Sequence, residues 1–163
     1  MMVAREKTQS HLNAVRNMPS KINGNPGSMM ALFMALSRCY DRRSLGNTNM
    51  KIAIAGAAGR MGRVLTRIVH ETPGAEVAGG LESKGSPNVG ADMGELAGIG
   101  KLGVTVSDDP LELFTKIDGV IDFTVPAATL AMAELSAQAR IVHVIGTTGI
   151  NAEGEAQIRA AAR

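Results

Sequence analysis

Gly56, Gly59 and Gly62 stand three residues apart in the stretch Lys51-Ile52-Ala53-Ile54-Ala55-Gly56-Ala57-Ala58-Gly59-Arg60-Met61-Gly62. The apolar run before them suits a buried parallel strand. After them, Arg63-Val64-Leu65-Thr66-Arg67-Ile68-Val69 carries its apolar residues at helical spacing. Strand, glycine turn and helix form a layout that holds a pyrophosphate. Glycines let the backbone turn sharply and approach the phosphates. The free N–H groups and the dipole at the helix start attract the negative charge. A glycine turn of this kind also occurs in sheets that bind nothing, and Ala58 stands where the commonest fingerprint has its second glycine. The carboxylate of Glu82, 20 residues after Gly62 and at the end of the next apolar run, adds to the signal. An acid there accepts hydrogen bonds from an adenosine ribose.

A second group is Gly146-Thr147-Thr148-Gly149, which offers backbone N–H groups and two hydroxyls at a strand end. It suits a nicotinamide amide or a substrate carboxylate; a plain strand-to-helix turn is the alternative. Asp122 ends another apolar run, where such an acid more often bonds neighbouring loop amides than does chemistry. Arg60, inside the glycine turn, suits adenine or phosphate, or else is a solvated charge at a helix start. His143 reads as an ordinary strand histidine, and His70 as an exposed one at a helix C-terminus. No His, Cys, Asp and Glu cluster has metal-ligand spacing, and no Ser/His/Asp set has a nucleophile turn. Hydride transfer to an unsaturated substrate also needs a proton donor. None is evident.

These groups must be positioned by alternating strands and helices. Strands are expected at about 51–56, 75–81, 104–106, 119–123 and 140–145. Helices are expected at about 59–71, 110–116, 126–139 and from 151 to the last residue. Thr72-Pro73-Gly74 stops the first helix, and Ser107-Asp108-Asp109-Pro110 starts the second. Ser83 to Gly103 is a long loop with six glycines, a length that is usually functional or mobile. Such alternation predicts an α/β fold, a doubly wound parallel sheet of Rossmann type with right-handed crossovers. Ligands then bind beyond the carboxyl ends of the strands. The glycine turn, Asp122-Phe123-Thr124 and Gly146 to Gly149 all fall on that edge.

Composition narrows the function classes. The chain has 163 residues, is 45% hydrophobic, and contains one Tyr, three Phe and no Trp. Its core must therefore be aliphatic and rich in small residues. One cysteine, Cys39, excludes an internal disulfide and a thiolate cluster. No apolar run approaches the ~20 residues of a membrane helix. The net charge of +2 is unevenly spread. Residues 1–49 carry seven Lys or Arg against two acids, whereas residues 50–163 carry ten against thirteen. The slightly acidic part lacks an electrostatic footprint for nucleic acid. Residues 1–49 are read as a disordered extension, or the result of a misplaced start, with one short helix near Met29 to Leu36. Their basic, acid-poor composition also faintly suggests a transit peptide. The dinucleotide-binding domain is read as residues 50–163.

Five segments together resemble the N-terminal part of dihydrodipicolinate reductase, in order and spacing across residues 50–163. They are Ile54-Ala55-Gly56-Ala57-Ala58-Gly59-Arg60-Met61-Gly62, Gly90-Ala91-Asp92-Met93-Gly94-Glu95-Leu96-Ala97-Gly98, Val104-Thr105-Val106, Ile121-Asp122-Phe123-Thr124 with Pro126, and Val144-Ile145-Gly146-Thr147-Thr148-Gly149. The resemblance implies an NADH- or NADPH-dependent reductase of 4-hydroxy-tetrahydrodipicolinate, a cytoplasmic enzyme of the diaminopimelate route to lysine. It implies that Gly56, Ala57, Ala58, Gly59, Arg60 and Met61 hold the pyrophosphate and Glu82 the ribose. Gly146, Thr147 and Thr148 would approach the nicotinamide, with Thr148 also reaching the small-molecule substrate. It further implies a C-terminal domain after Arg163, carrying the catalytic His and Lys and building a homotetramer. The chain is then the cofactor-binding part and inactive alone. One departure stands out: the family often has Arg after the ribose-binding acid, and this chain has Ser83. The competing reading is a stand-alone Rossmann module that binds a nucleotide without catalysis. A dehydrogenase of aspartate or homoserine type is disfavoured by the Gly146 to Gly149 motif and the glycine-rich loop.

Overall fold

The computed structural model describes residues 49–162. The expected extension over residues 1–49, with its helix near Met29 to Leu36 and Cys39, lies outside the described residues apart from Asn49. From Met50 the chain alternates as expected. The strands are β1 (Met50–Ala55), β2 (Ala75–Leu81), β3 (Val106–Ser107), β4 (Gly119–Asp122) and β5 (Val142–Ile145). The helices are α1 (Arg60–Glu71), α2 (Met93–Ala97), α3 (Pro110–Phe114), α4 (Pro126–Ala139) and α5 (Ala152–Ala161).

All strand pairs are parallel, in the order β3-β2-β1-β4-β5. The chain therefore winds one way from β1 through β3, then crosses back to lay β4 on the other side of β1. The gap between the carboxyl ends of β1 and β4 is the switch point at which such sheets bind ligands. β1 is the central strand, with Ala53, Ile54 and Ala55 fully buried. On one side Ala53, Ala55, Leu81, Phe114, Ile117, Val120 and Met132 form an aliphatic cluster with a single aromatic ring. Small residues let the layers close: a Cβ on Gly80 would lie 2.3 Å from the Met93 sulfur, and one on Gly79 would lie 2.5 Å from Leu113.

Three segments depart from the sequence reading. The stretch from Ser83 to Gly103 contains α2, which the glycines conceal. Asp92 caps it, accepting N–H bonds from Gly94 and Glu95, and also from Leu102 and Gly103 across the turn. Gly98 closes it in the left-handed conformation, at φ 71°. Residues 104–106 were expected to be a parallel strand, yet only Val106 and Ser107 pair with β2. The backbone before them is spent on the loop: Met93 donates to the Val104 carbonyl, Val106 to that of Ala91, and Gly90 to that of Val106. Finally, β5 starts at Val142 rather than Arg140. Arg140 caps α4 in the left-handed conformation, at φ 56°, and Ile141 bonds back to Ser136. The final helix ends at Ala161, with Ala162 as its cap.

Candidate cofactor site

The glycine turn is built by steric exclusion. Gly56 has φ 75°, and a Cβ there would lie 2.8 Å from the Phe123 carbonyl oxygen, across the β1/β4 gap. A Cβ on Gly62 would lie 2.2 Å from the Gly56 carbonyl oxygen and 2.5 Å from that of Ala57. Gly62 thus lets α1 press against the turn, and Gly56 lets the chain leave β1 beside β4. Gly59 is the N-cap of α1 and offers no side-chain cap. Among the described residues no acceptor meets the N–H groups of Arg60, Met61 and Gly62. These are the orphan donors of a helix start, the arrangement that attracts anions in general.

The structure brings Glu82 directly to this turn. Its carboxylate Oε1 accepts the Ala58 N–H at 2.8 Å, and its own N–H is held by the Ser107 carbonyl of β3 at 3.0 Å. One carboxylate oxygen is tied to the turn, and the other has no hydrogen-bond partner among the described residues. The same residue, Ala58, accepts the Arg63 Nε–H on its carbonyl at 3.0 Å. The guanidinium of Arg63, unremarked in the sequence, therefore flanks the turn. Its signal was available: Arg63 lies one helical turn after Gly59. Arg60, Ser83 and Lys84 are exposed, and Met61 is half-buried.

At the far side of the switch point lies a buried polar network. Asp122, at the end of β4, is 0% exposed. Its Oδ1 accepts the Thr124 hydroxyl at 2.6 Å, the Thr124 N–H at 3.0 Å and the Thr147 hydroxyl at 3.3 Å. Its Oδ2 faces His143 Nε2 at 3.2 Å. A carboxylate needs a donor there, which assigns the ring proton to Nε2. Thr147 also accepts the Thr124 N–H at 3.1 Å and the Thr129 hydroxyl of α4 at 2.9 Å. Burial pushes the Asp122 carboxyl up, but the hydrogen bonds from His143 and Thr124 and the attraction of His143 hold it below its ordinary range.

This network revises two readings. Of the two hydroxyls in Gly146 to Gly149, that of Thr147 is committed inward, and that of exposed Thr148 has no partner among the described residues. Asp122 does bond a loop amide, as expected, but it also pairs with His143, which the sequence reading treated as an ordinary strand residue. The register explains what was missed. Asp122 pairs with Ile145 in β5, and His143 lies two residues before it on the same face. Without that register the two residues look unrelated. Gly146 follows directly and is packed under Phe123: a Cβ there would lie 2.2 Å from the ring. Among the described residues no acceptor meets the N–H groups of Thr147, Thr148 and Gly149, so this loop too presents free donors. No group of three or more His, Cys, Asp or Glu among the described residues is placed to hold a metal ion, and none of the described helices is long and apolar enough to cross a membrane.

Residues 50–163 match the family described as dihydrodipicolinate reductase, N-terminus. The 4-hydroxy-tetrahydrodipicolinate reductase of Sinorhizobium medicae is 59% identical over 119 residues, covering 73% of this chain and 44% of that protein. That of Brucella abortus is 55% identical over 114 residues, covering 70% and 42%. The chain thus spans less than half the length of these curated relatives. Among solved structures, a dipicolinate-bound dihydrodipicolinate reductase from Paenisporosarcina sp. TG-14 aligns with TM-score 0.56 at 24% identity, over 70% of this chain and 43% of that one. An amine dehydrogenase from Mycobacterium smegmatis gives the same TM-score at 20% identity, over 70% and 36%. At such identities the likeness speaks for the fold alone.

Proposed function

The chain belongs to the dihydrodipicolinate reductase family, matching its N-terminal part, and we propose that it is the cofactor-binding part of an NAD(P)H-dependent reductase acting on 4-hydroxy-tetrahydrodipicolinate. The product would be tetrahydrodipicolinate, in the diaminopimelate route to lysine. The observation that carries this reading is the pair of free-amide segments at the carboxyl ends of β1 and β5, on the same edge of the parallel sheet, with Glu82 tied to the first turn through the Ala58 N–H. The cradle fits a dinucleotide: Gly56 and Gly62 are closed to any side chain, and the helix-start amides beside them are unsatisfied.

In this reading the turn from Gly56 to Met61 binds the pyrophosphate, and the free oxygen of Glu82 takes the adenosine ribose. Gly146, Thr147 and Thr148 face the nicotinamide through their backbone, and the Thr148 hydroxyl reaches the substrate. A bound reduced nicotinamide supplies the hydride. The Asp122–His143 pair does not supply the proton, because its carboxylate is fully enclosed and the His143 side chain is only 8% exposed. The proton donor, the rest of the substrate site and a homotetrameric, cytoplasmic assembly belong in this proposal to the part of the relatives that the chain does not span. The test is titration of the purified chain with NADH and NADPH, followed by cofactor fluorescence. Saturable binding in the micromolar range is expected. Absence of binding at millimolar cofactor would overturn the assignment.

A further inference from the structure

We infer that Asp122 is a positioning residue for the nicotinamide side of the site, acting through Thr147; this rests on the reading of Gly146 to Thr148 given above. The argument begins with the cost of the group. A fully enclosed carboxylate is expensive, and an apolar residue of similar size usually serves stability as well or better. The donors around Asp122 offset that cost, but stability does not account for their arrangement.

They come from three separate elements and meet at one loop. Thr124 belongs to the segment after β4, Thr129 to α4 and His143 to β5, while Thr147 opens the loop after β5. The Thr147 hydroxyl is the shared point: it accepts from the Thr124 N–H and the Thr129 hydroxyl and donates to Asp122. With all its bonds directed inward, Thr147 fixes where the chain leaves β5. The Gly146 N–H is bonded to the Asp122 carbonyl at 2.8 Å, a second tie to the same residue. The next three N–H groups, of Thr147, Thr148 and Gly149, are left free among the described residues. A buried anion thus holds a loop whose outer side consists of unsatisfied donors. His143 holds the other carboxylate oxygen, so the anion cannot swing away. Its second nitrogen, Nδ1, is buried with no partner among the described residues, so the ring is committed to Asp122 alone.

The test compares NADH with ADP-ribose, which has the adenine half and pyrophosphate but no nicotinamide. Calorimetric titrations of the 163-residue chain are made with both ligands, for the native protein and for Asp122→Asn, Thr147→Val and Thr147→Ser. Asp122→Asn and Thr147→Val should each weaken NADH binding about tenfold, the scale of one charged hydrogen bond. ADP-ribose binding should stay within about twofold, because the glycine turn and Glu82 are untouched. Thr147→Ser, which keeps the hydroxyl, should bind NADH like the native chain. A double variant of Asp122→Asn and Thr147→Val should be no worse than either single one, since both cut the same link. If both ligands lose affinity equally, Asp122 is merely structural and the inference falls. If Asp122→Asn does not fold, Thr147→Val alone decides, and an unchanged ratio of NADH to ADP-ribose affinity overturns the inference. A native chain that binds ADP-ribose as tightly as NADH overturns the reading of the loop itself. A native preference for NADH that survives Asp122→Asn overturns only the positioning role.

Discussion

Glu82 faces two demands at once in the proposed reading, because one carboxylate oxygen holds the Ala58 amide and the other would take the ribose. A 2′-phosphate at that ribose is repelled by the carboxylate. An Arg at position 83 would offset the repulsion with a bidentate pair, but Ser83 gives only a hydroxyl. Lys84 is an exposed point charge, and Arg63 is held at the turn by the Ala58 carbonyl. Exposed charge contacts are worth about 0–1 kcal/mol and weaken with salt. A tenfold affinity difference needs about 1.4 kcal/mol. The expected outcome is NADH ahead of NADPH by about tenfold or less. In fluorescence titrations Glu82→Ala should narrow that gap, and Lys84→Ala should weaken NADPH more than NADH. Tighter binding of NADPH by the native chain, unmoved by Lys84→Ala, would show the assignment of Glu82 to be wrong. At this scale the sequence exposes what spacing along the chain can carry: the glycines, and Glu82 as a carboxylate at a strand end. It conceals Arg63 against Ala58 and Asp122 against His143, because those meetings depend on a helix turn and a strand register.

The elements that hold these residues depend on close backbone approach and on buried caps. Gly62→Ala places a Cβ 2.2 Å from a carbonyl oxygen that cannot move without moving the turn. We expect a cost of about 1–3 kcal/mol, typical of overpacking, together with loss of cofactor binding; thermal unfolding and titration measure the two. The glycine triplet was legible as a turn, whereas α2 was not, because Gly94 and Gly98 mask its short helical pattern. Asp92 supplies what propensity does not. Its carboxyl is held below its ordinary 3.8 chiefly by the Leu102 N–H, against the opposing effect of burial, with further bonds from Glu95, Gly103 and Gly94. Asp122 is likewise lowered. The sign follows from linkage: a carboxyl depressed in the folded state contributes stability that is fully present above its unfolded value and lost as pH falls through the folded one. Melting temperature should therefore hold from neutrality to about pH 5 and drop steeply below about pH 4. Asp92→Asn should flatten that drop and open the 83–103 segment to proteolysis at neutral pH. A variant with an unchanged acid profile and an uncut loop would show that Asp92 does not staple it.

At the scale of the molecule, the described domain carries two segments of free amides at the carboxyl edge of the sheet, which in the proposed reading bind a dinucleotide. Its single Asp–His pair among the described residues is enclosed beneath the loop. The two readings of the chain, cofactor half of a reductase or nucleotide-binding module, share this binding site and differ in whether the site is competent for hydride transfer. The 163-residue chain alone cannot separate them by affinity. By assay with freshly made 4-hydroxy-tetrahydrodipicolinate it should turn over far below the ~10 s⁻¹ of an ordinary enzyme, because the Asp–His pair is enclosed and the proposed proton donor lies in the part of the relatives that the chain does not span. The discriminating protein is a fusion of residues 50–162 to the part of the Sinorhizobium medicae relative that lies beyond its aligned segment. With 59% identity in the replaced region, the domain contacts should carry over well enough for the fusion to fold. If the site positions a nicotinamide as proposed, the fusion should oxidise NADH in step with substrate reduction, and Thr148→Val should lower its kcat/KM. A fusion that binds NADH at native affinity yet does not turn over would assign the chain to the module instead. The same fusion carrying Asp122→Asn should keep its proton-donor pH profile while losing rate, because the buried carboxylate sets where the loop stands and takes no part in proton transfer.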